Sequence, residues 1–100
     1  MTWPRLRVVV RQRAARQIDE ANDWWREHRT ANPGALADEL TRTFELIAAQ
    51  PGIGAPAREP RLRGVRRVLL RRVGYFLHYR VALRKGELQV LVFKHSRWVP

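Results

Sequence analysis

From Arg13 onward, Ala14, Ile18, Ala21, Trp25 and His28 recur at spacings of three and four, with Asp19, Glu20, Asp23 and Glu27 lying between them. That is the period of an amphipathic helix that turns one face to a core. Asn32-Pro33-Gly34 breaks the pattern, because Asn-Pro favours a turn and also suits entry to a second helix, with proline near its first turn. The second helix is expected over 35–49, with Leu36, Leu40, Phe44, Ile47 and Ala48 as its buried stripe. Trp24 and Trp25 are adjacent and cannot both face inward on one helix. One of them is therefore expected on the surface, where a tryptophan suits a partner contact.

Elsewhere the period shortens. Residues 6–11, LRVVVR, form a β-branched run just after Pro4 and predict a first strand, its three valines buried on both faces. Runs at 65–71, 75–83 and 87–94, separated by turns that carry Gly74 and Gly86, predict a three-stranded meander. In the middle run Tyr75, Leu77, Tyr79, Val81 and Leu83 share one face, and Phe76, His78, Arg80 and Ala82 the other. Tyr75 and Tyr79 then read as core aromatics with hydroxyls at the rim, and His78 as a packing residue. Val90 and Val92 alternate with Leu91 and Phe93, so the last strand is apolar on both faces and central. Its free side needs a neighbour, and the N-terminal strand is the one available. Pro51, Gly52, Gly54, Pro56 and Pro60 fill a connecting loop that is either functional or partly mobile. The expected fold is α+β: a two-layer sandwich of order β-α-α-β-β-β, a helical hairpin on one face of an antiparallel sheet, with residues 1–100 forming a single domain.

Charge changes this picture more than composition does. The chain carries a formal net charge of +11. Residues 1–50 hold eight arginines against seven carboxylates, whereas residues 51–100 hold ten arginines and two lysines against two glutamates. The positive field is therefore expected on the sheet half, as a shared cationic surface for an anionic partner. Eighteen of the twenty basic residues are arginine, whose planar fork suits carboxylate or phosphate. With no cysteine and only His28, His78 and His95, neither a disulfide framework nor a metal centre is expected, and no cofactor. Arginines interrupt the only apolar run near Met1 and no window approaches a membrane span, so the expectation is a cytoplasmic protein with no membrane partner.

The order of elements, with Ala15, Ile18 and Trp24-Trp25 on the first helix, the loop from Gln50-Pro51 to Gly54, and the block Gly64-Val65-Arg66-Arg67, Gly74-Tyr75, Tyr79-Arg80-Val81 and Val92-Phe93-Lys94-His95-Ser96-Arg97, resembles the RelE/ParE superfamily. These are the toxin halves of bacterial type II toxin-antitoxin modules, including plasmid stabilisation proteins. The resemblance covers nearly the whole chain. It implies the N-terminal strand beside the last one, and a cognate antitoxin whose disordered, acidic C-terminal part folds onto the basic toxin. It also implies that the complex represses its own operon, reaching DNA through the antitoxin.

Two activities occur in the superfamily. RelE-like members are ribonucleases, or mRNA interferases, that cut mRNA in the ribosomal A site, whereas ParE-like members arrest growth by poisoning DNA gyrase and do no chemistry. Such a ribonuclease needs proton-transfer groups and cations on the phosphate. By position, Arg71 matches the phosphate-binding arginine of RelE-like toxins, and His95 and Arg97 fall near their C-terminal catalytic residues. Against that, the sequence continues past Arg97 only as Trp98-Val99-Pro100, without a further tyrosine or histidine, and His95-Ser96-Arg97 resembles the His-x-Arg close of many ParE-like toxins. The resemblance thus implies a gyrase inhibitor, with the ribosome and its mRNA as the alternative target.

On either branch the target- or antitoxin-binding surface is assigned to Arg66, Arg67, Arg71, Arg72, Tyr75, Tyr79, Arg80, Lys94, Arg97 and Trp98. Arg66 and Arg67 point to opposite faces of their strand, and one lying over the helices would need a carboxylate such as Asp19, Asp23 or Glu45. His95 also reads as a cap at the strand end, bonded to a carbonyl. Apart from the resemblance, a basic α+β domain with sheet aromatics fits a plain RNA-binding module that stacks bases on Tyr75 or Tyr79.

Overall fold

The computed structural model describes residues 5–57 and 63–97; Trp98 of the expected binding surface, and Pro4 and Pro60 of the expected turns, lie outside them. In chain order the elements are β1 (Arg7–Val10), α1 (Gln12–His28), α2 (Ala35–Ala49), β2 (Ala55–Pro56), β3 (Arg66–Leu70), β4 (Tyr75–Ala82), a 3-10 turn (Leu83–Lys85) and β5 (Glu87–His95). The sheet order is β1-β5-β4-β3-β2. The expected α+β sandwich, with β1 beside β5, is therefore what the chain forms. The sheet is mixed rather than antiparallel throughout, because β1 runs parallel to β5, with Val8 opposite Leu88 and Val10 opposite Val90. A parallel pair needs a crossover. Here the helix pair and three strands together make it.

The helices cover one sheet face. Ala14, Ala21, Leu36, Leu40 and Ile47 meet Leu70, Leu77, Tyr79, Leu88, Val90 and Phe93 in the core. Trp25 packs against this cluster while Trp24 is 42% exposed, as two adjacent helical residues require. His28, expected on the buried stripe, is exposed. Thr43 is buried although polar, because its hydroxyl donates to the Glu39 carbonyl one turn back at 2.7 Å.

Two expectations about the strands give way to local geometry. Tyr79 pairs with Val90 and Leu77 with Phe93, so three steps on β5 face two on β4, and Leu91 is the extra residue of a bulge. The bulge puts Phe93 on the same face as Val90, where simple alternation separates them. Leu83 does not extend the inner face of β4. It is 69% exposed in the 3-10 turn, closed by Gly86, whose φ of 64° is left-handed and whose N–H donates to the Leu83 carbonyl at 3.0 Å.

The loop after α2 is tied down over its first part. The Tyr79 hydroxyl, fully buried, donates to the Pro51 carbonyl at 2.8 Å and accepts the Gly54 N–H at 2.9 Å. Arg66 donates to the Gly54 carbonyl at 2.7 Å, and Ala55 and Pro56 pair with Arg67 and Arg66 as a short edge strand. Arg66 does lie on the helix side, but a backbone carbonyl and not Asp19, Asp23 or Glu45 receives its charge.

On the opposite face a polar chain crosses three strands. Arg7 meets Glu87 at 2.5 Å, Gln89 donates to Glu87 at 3.3 Å, and Arg80 donates to Gln89 at 3.0 Å. The Gln89 hydrogen bond, and then Arg7, hold the Glu87 carboxyl below its ordinary value of 4.5. A lowered folded value means that this contribution is present above 4.5 and fades as pH falls through the folded value. Glu87→Gln should thus be slightly less stable than the parent at neutral pH, with the gap closing in acid. Urea midpoints measured at both pH values test it, and a gap that widens in acid contradicts the assignment.

Candidate functional site

One end of the sheet brings three segments together. The turn after β3 is built on the Leu70 carbonyl, which accepts the N–H groups of Val73 at 3.2 Å and Gly74 at 2.8 Å. Gly74 has a φ of 75°, a conformation that favours glycine, and its carbonyl accepts the Ser96 N–H at 2.8 Å. That bond stitches the end of β5 to the turn. It places Arg71 and Arg72 beside His95 and Arg97, while the last turns of α1 close the third side with Trp24, Trp25 and Arg29. The result is a cleft of about 400 Å³.

Within it, Tyr75 stacks on Phe93 with ring centroids 4.7 Å apart and takes the edge of His95 at 5.1 Å. Burial pushes the Tyr75 hydroxyl above its ordinary value of 10.0. His95 accepts the backbone N–H of Arg97 on Nδ1 at 3.1 Å, so the neutral ring carries its proton on Nε2. The ring therefore caps the strand end, through a backbone N–H and not the expected carbonyl. Arg29 lies over both tryptophans, its guanidinium carbon 5.2 Å from the Trp24 ring centre and 5.7 Å from that of Trp25. His28 stacks on Trp24 at 4.5 Å. Among the described residues no carboxylate lines the cleft.

A longer groove of about 760 Å³ adjoins it, running between α1 and the second half of β5 and sharing Trp24, Tyr75 and His95. There β1 no longer covers β5, and the Phe93 N–H is taken by the Gln17 side chain at 2.9 Å. Glu20 lines this groove.

The expected binding residues thus divide. Arg71, Arg72, Tyr75, His95 and Arg97 line the cleft. Tyr79 contradicts its assignment: it is fully buried, and its hydroxyl is engaged by the loop. Arg66 is directed into that same loop. Arg67 and Arg80 belong to the sheet face turned away from the helices, with Arg67 4.5 Å over the Phe76 ring, whereas Lys94, on that face of β5, also lines the adjoining groove. Arg84 and Lys85 sit at the opposite end of the sheet, in the turn before β5. The single cationic surface expected of the sheet half is therefore resolved into separate groups, and the cleft recruits Arg29 from the helical half. That one of the two tryptophans lies on the surface was legible, and it is Trp24. Arg29 was not legible, although its position four residues after Trp25 is the spacing at which helical neighbours meet.

A mixed sheet backed by a helical hairpin, with arginines and aromatics gathered where the turn after β3 meets the end of β5, defines a small RelE-like α+β domain with a cationic cleft. A family model, described as ParE toxin of type II toxin-antitoxin system, parDE, matches residues 8–98, and the chain belongs to that family. It is the toxin of a type II module, and its family supplies an antitoxin protein as partner. No curated protein matches the sequence closely enough to add to this. Among the described residues no helix is long and apolar enough to cross a membrane.

Proposed function

We propose that this toxin acts in the cytoplasm as one domain and poisons DNA gyrase by binding it, without chemistry of its own, through the cationic cleft. The observation that carries this reading is the state of His95. Cutting RNA through its 2′-hydroxyl needs one group to take a proton and another to give one. The Nδ1 lone pair of His95 is occupied by the Arg97 N–H, which leaves a donor at Nε2 but no base. Tyr75 is shifted in the wrong direction to replace it, and no carboxylate lines the cleft among the described residues. What remains, tryptophan, tyrosine and arginine around a concavity, is the composition of a protein-binding hot spot.

A second reading, a RelE-like mRNA interferase, is favoured by one observation: Arg71, His95 and Arg97 do converge on one cleft. In either case the antitoxin is proposed to be acidic, to match the charge, and to carry the complex to operator DNA. Induced expression in a bacterial host separates the readings. Growth arrest with SOS induction and gyrase-DNA cleavage complexes is the expected result, reversed by the neighbouring antitoxin gene. Rapid loss of translation with mRNA cut on ribosomes would replace it by the second reading, and unimpaired growth would leave only a basic binding module.

A further inference from the structure

We propose that Arg29, held by the aromatic residues at the end of α1, is the anchor with which the cleft captures a carboxylate of the target protein, so that the segment it takes is acidic. This rests on the gyrase-directed reading above. Four guanidiniums edge the cleft, from Arg29, Arg71, Arg72 and Arg97. Among the described residues the ion pair that forms is Arg7 with Glu87, at the far end of the sheet, and none of the four has a carboxylate partner. Like charges gathered around a concavity focus a positive field, which an acidic segment relieves on docking.

Arg29 differs from the other three in being held. Its guanidinium lies over Trp24 and Trp25. Each tryptophan is itself fixed: His28 stacks on Trp24 within 10° of parallel and its Nδ1 lies 2.8 Å from the Trp24 carbonyl, while the Trp25 indole donates to the Asn32 carbonyl at 2.9 Å. A planar fork already held by aromatic faces loses less freedom on binding than a free arginine, and it matches a carboxylate bidentately.

The same contacts weigh against a nucleic-acid base. Stacking needs an open aromatic face. Trp24 is engaged by His28 and Arg29, and Tyr75 by Phe93 and the edge of His95. A carboxylate needs only the fork and the field.

The test uses the whole chain with two labelled probes of equal charge, an oligoglutamate peptide and an oligouridylate. The parent should bind the peptide more tightly. Arg29→Ala should weaken that binding roughly tenfold or more, with the fold retained by circular dichroism, and Arg29→Lys should restore only a minor part, since it returns the charge without the fork. Tighter binding of the oligouridylate, an Arg29→Ala variant that binds the peptide as the parent does, or full rescue by lysine would each overturn the proposal. In a second arm, Arg29→Ala should reduce gyrase poisoning and leave the antitoxin complex intact; the reverse pattern would assign the anchor to the antitoxin and also overturn it. The probe arm contains no gyrase, so its outcome is separate from whether gyrase is the target.

Discussion

Gly54→Ala is expected to leave the toxin largely unfolded or far less stable, while Gly52→Ala, two residues earlier, changes little. A Cβ on Gly54 would stand 2.7 Å from the Tyr79 hydroxyl oxygen, 2.9 Å from its ring and 3.0 Å from the Arg67 carbonyl, whereas one on Gly52 meets nothing within 4 Å. The ring cannot retreat, because Tyr79 is fully buried in the middle of the sheet. Overpacking of this kind costs about 1–3 kcal/mol, and the loop hydrogen bonds are lost with it. Tyr79→Phe isolates that second term. It leaves the Gly54 N–H and the Pro51 carbonyl without their partner, a cost of about 1–3 kcal/mol. At roughly 4–8 °C of Tm per kcal/mol for a domain of this size, thermal unfolding followed by circular dichroism resolves both variants. An unchanged Tm for Gly54→Ala would contradict the account of the loop.

The same hydroxyl predicts an alkaline limb. Burial pushes the Tyr79 value above 10.0, outweighing the Gly54 hydrogen bond and the charge of Arg66, which act in the other direction. A raised folded value means that the neutral form is the one the fold holds. Its contribution is complete below 10.0 and is lost as pH rises through the folded value. Tyr79→Phe should therefore lose less stability than the parent in strong alkali. Tyr75, raised by burial as well, leaves a residual slope in both proteins.

Much of the fold was legible because its signals are local. The break at Asn32-Pro33-Gly34, the stripe Leu36, Leu40, Ile47 and the glycines at 74 and 86 each act within a few residues, and α2 spans 35–49 as its period predicts. The pairing of β1 with β5 was legible from the apolar last strand and the resemblance, but other features that depend on distant partners were not. The two-residue strand Ala55–Pro56 exists only because β3 lies beside it, and the bulge at Leu91 has no glycine to announce it. The site divides in the same way. Arg71, His95 and Arg97 were singled out through the family resemblance, and a turn and a strand end bring them, with Arg72, to one cleft. Arg29 joins them only through the packing of α1 on the sheet. Tyr79 was misassigned because alternation tells which face a tyrosine takes, and not that a loop 25 to 28 residues earlier in the chain returns to cover its hydroxyl.

Neutralising the cleft should abolish toxicity while removing His95 should not. Arg71, Arg97 and His95 are all exposed, so substitution at any of them is expected to move stability by less than about 0.5 kcal/mol. Arginines in a binding hot spot typically contribute about 2 kcal/mol or more each. The double variant Arg71→Ala with Arg97→Ala should then lose on the order of 10³-fold in target affinity, since each 1.4 kcal/mol is about tenfold. Growth arrest should disappear with it. His95→Ala removes an aromatic edge from Tyr75 and a cap from Arg97, contacts worth far less. A residue that moved a proton would instead cost about 10²–10⁴-fold in rate. Growth curves under graded induction, with expression checked by immunoblot, distinguish the two patterns. Loss of arrest on removing His95 alone would point back to chemistry.

The most direct measurement combines purified toxin with gyrase and plasmid, and in parallel with ribosomes translating a defined mRNA. The proposed function predicts linear DNA trapped by gyrase and released by detergent and protease, with the mRNA intact, for the parent and for His95→Ala alike. Cut mRNA on ribosomes, with gyrase resealing its DNA normally, would contradict it.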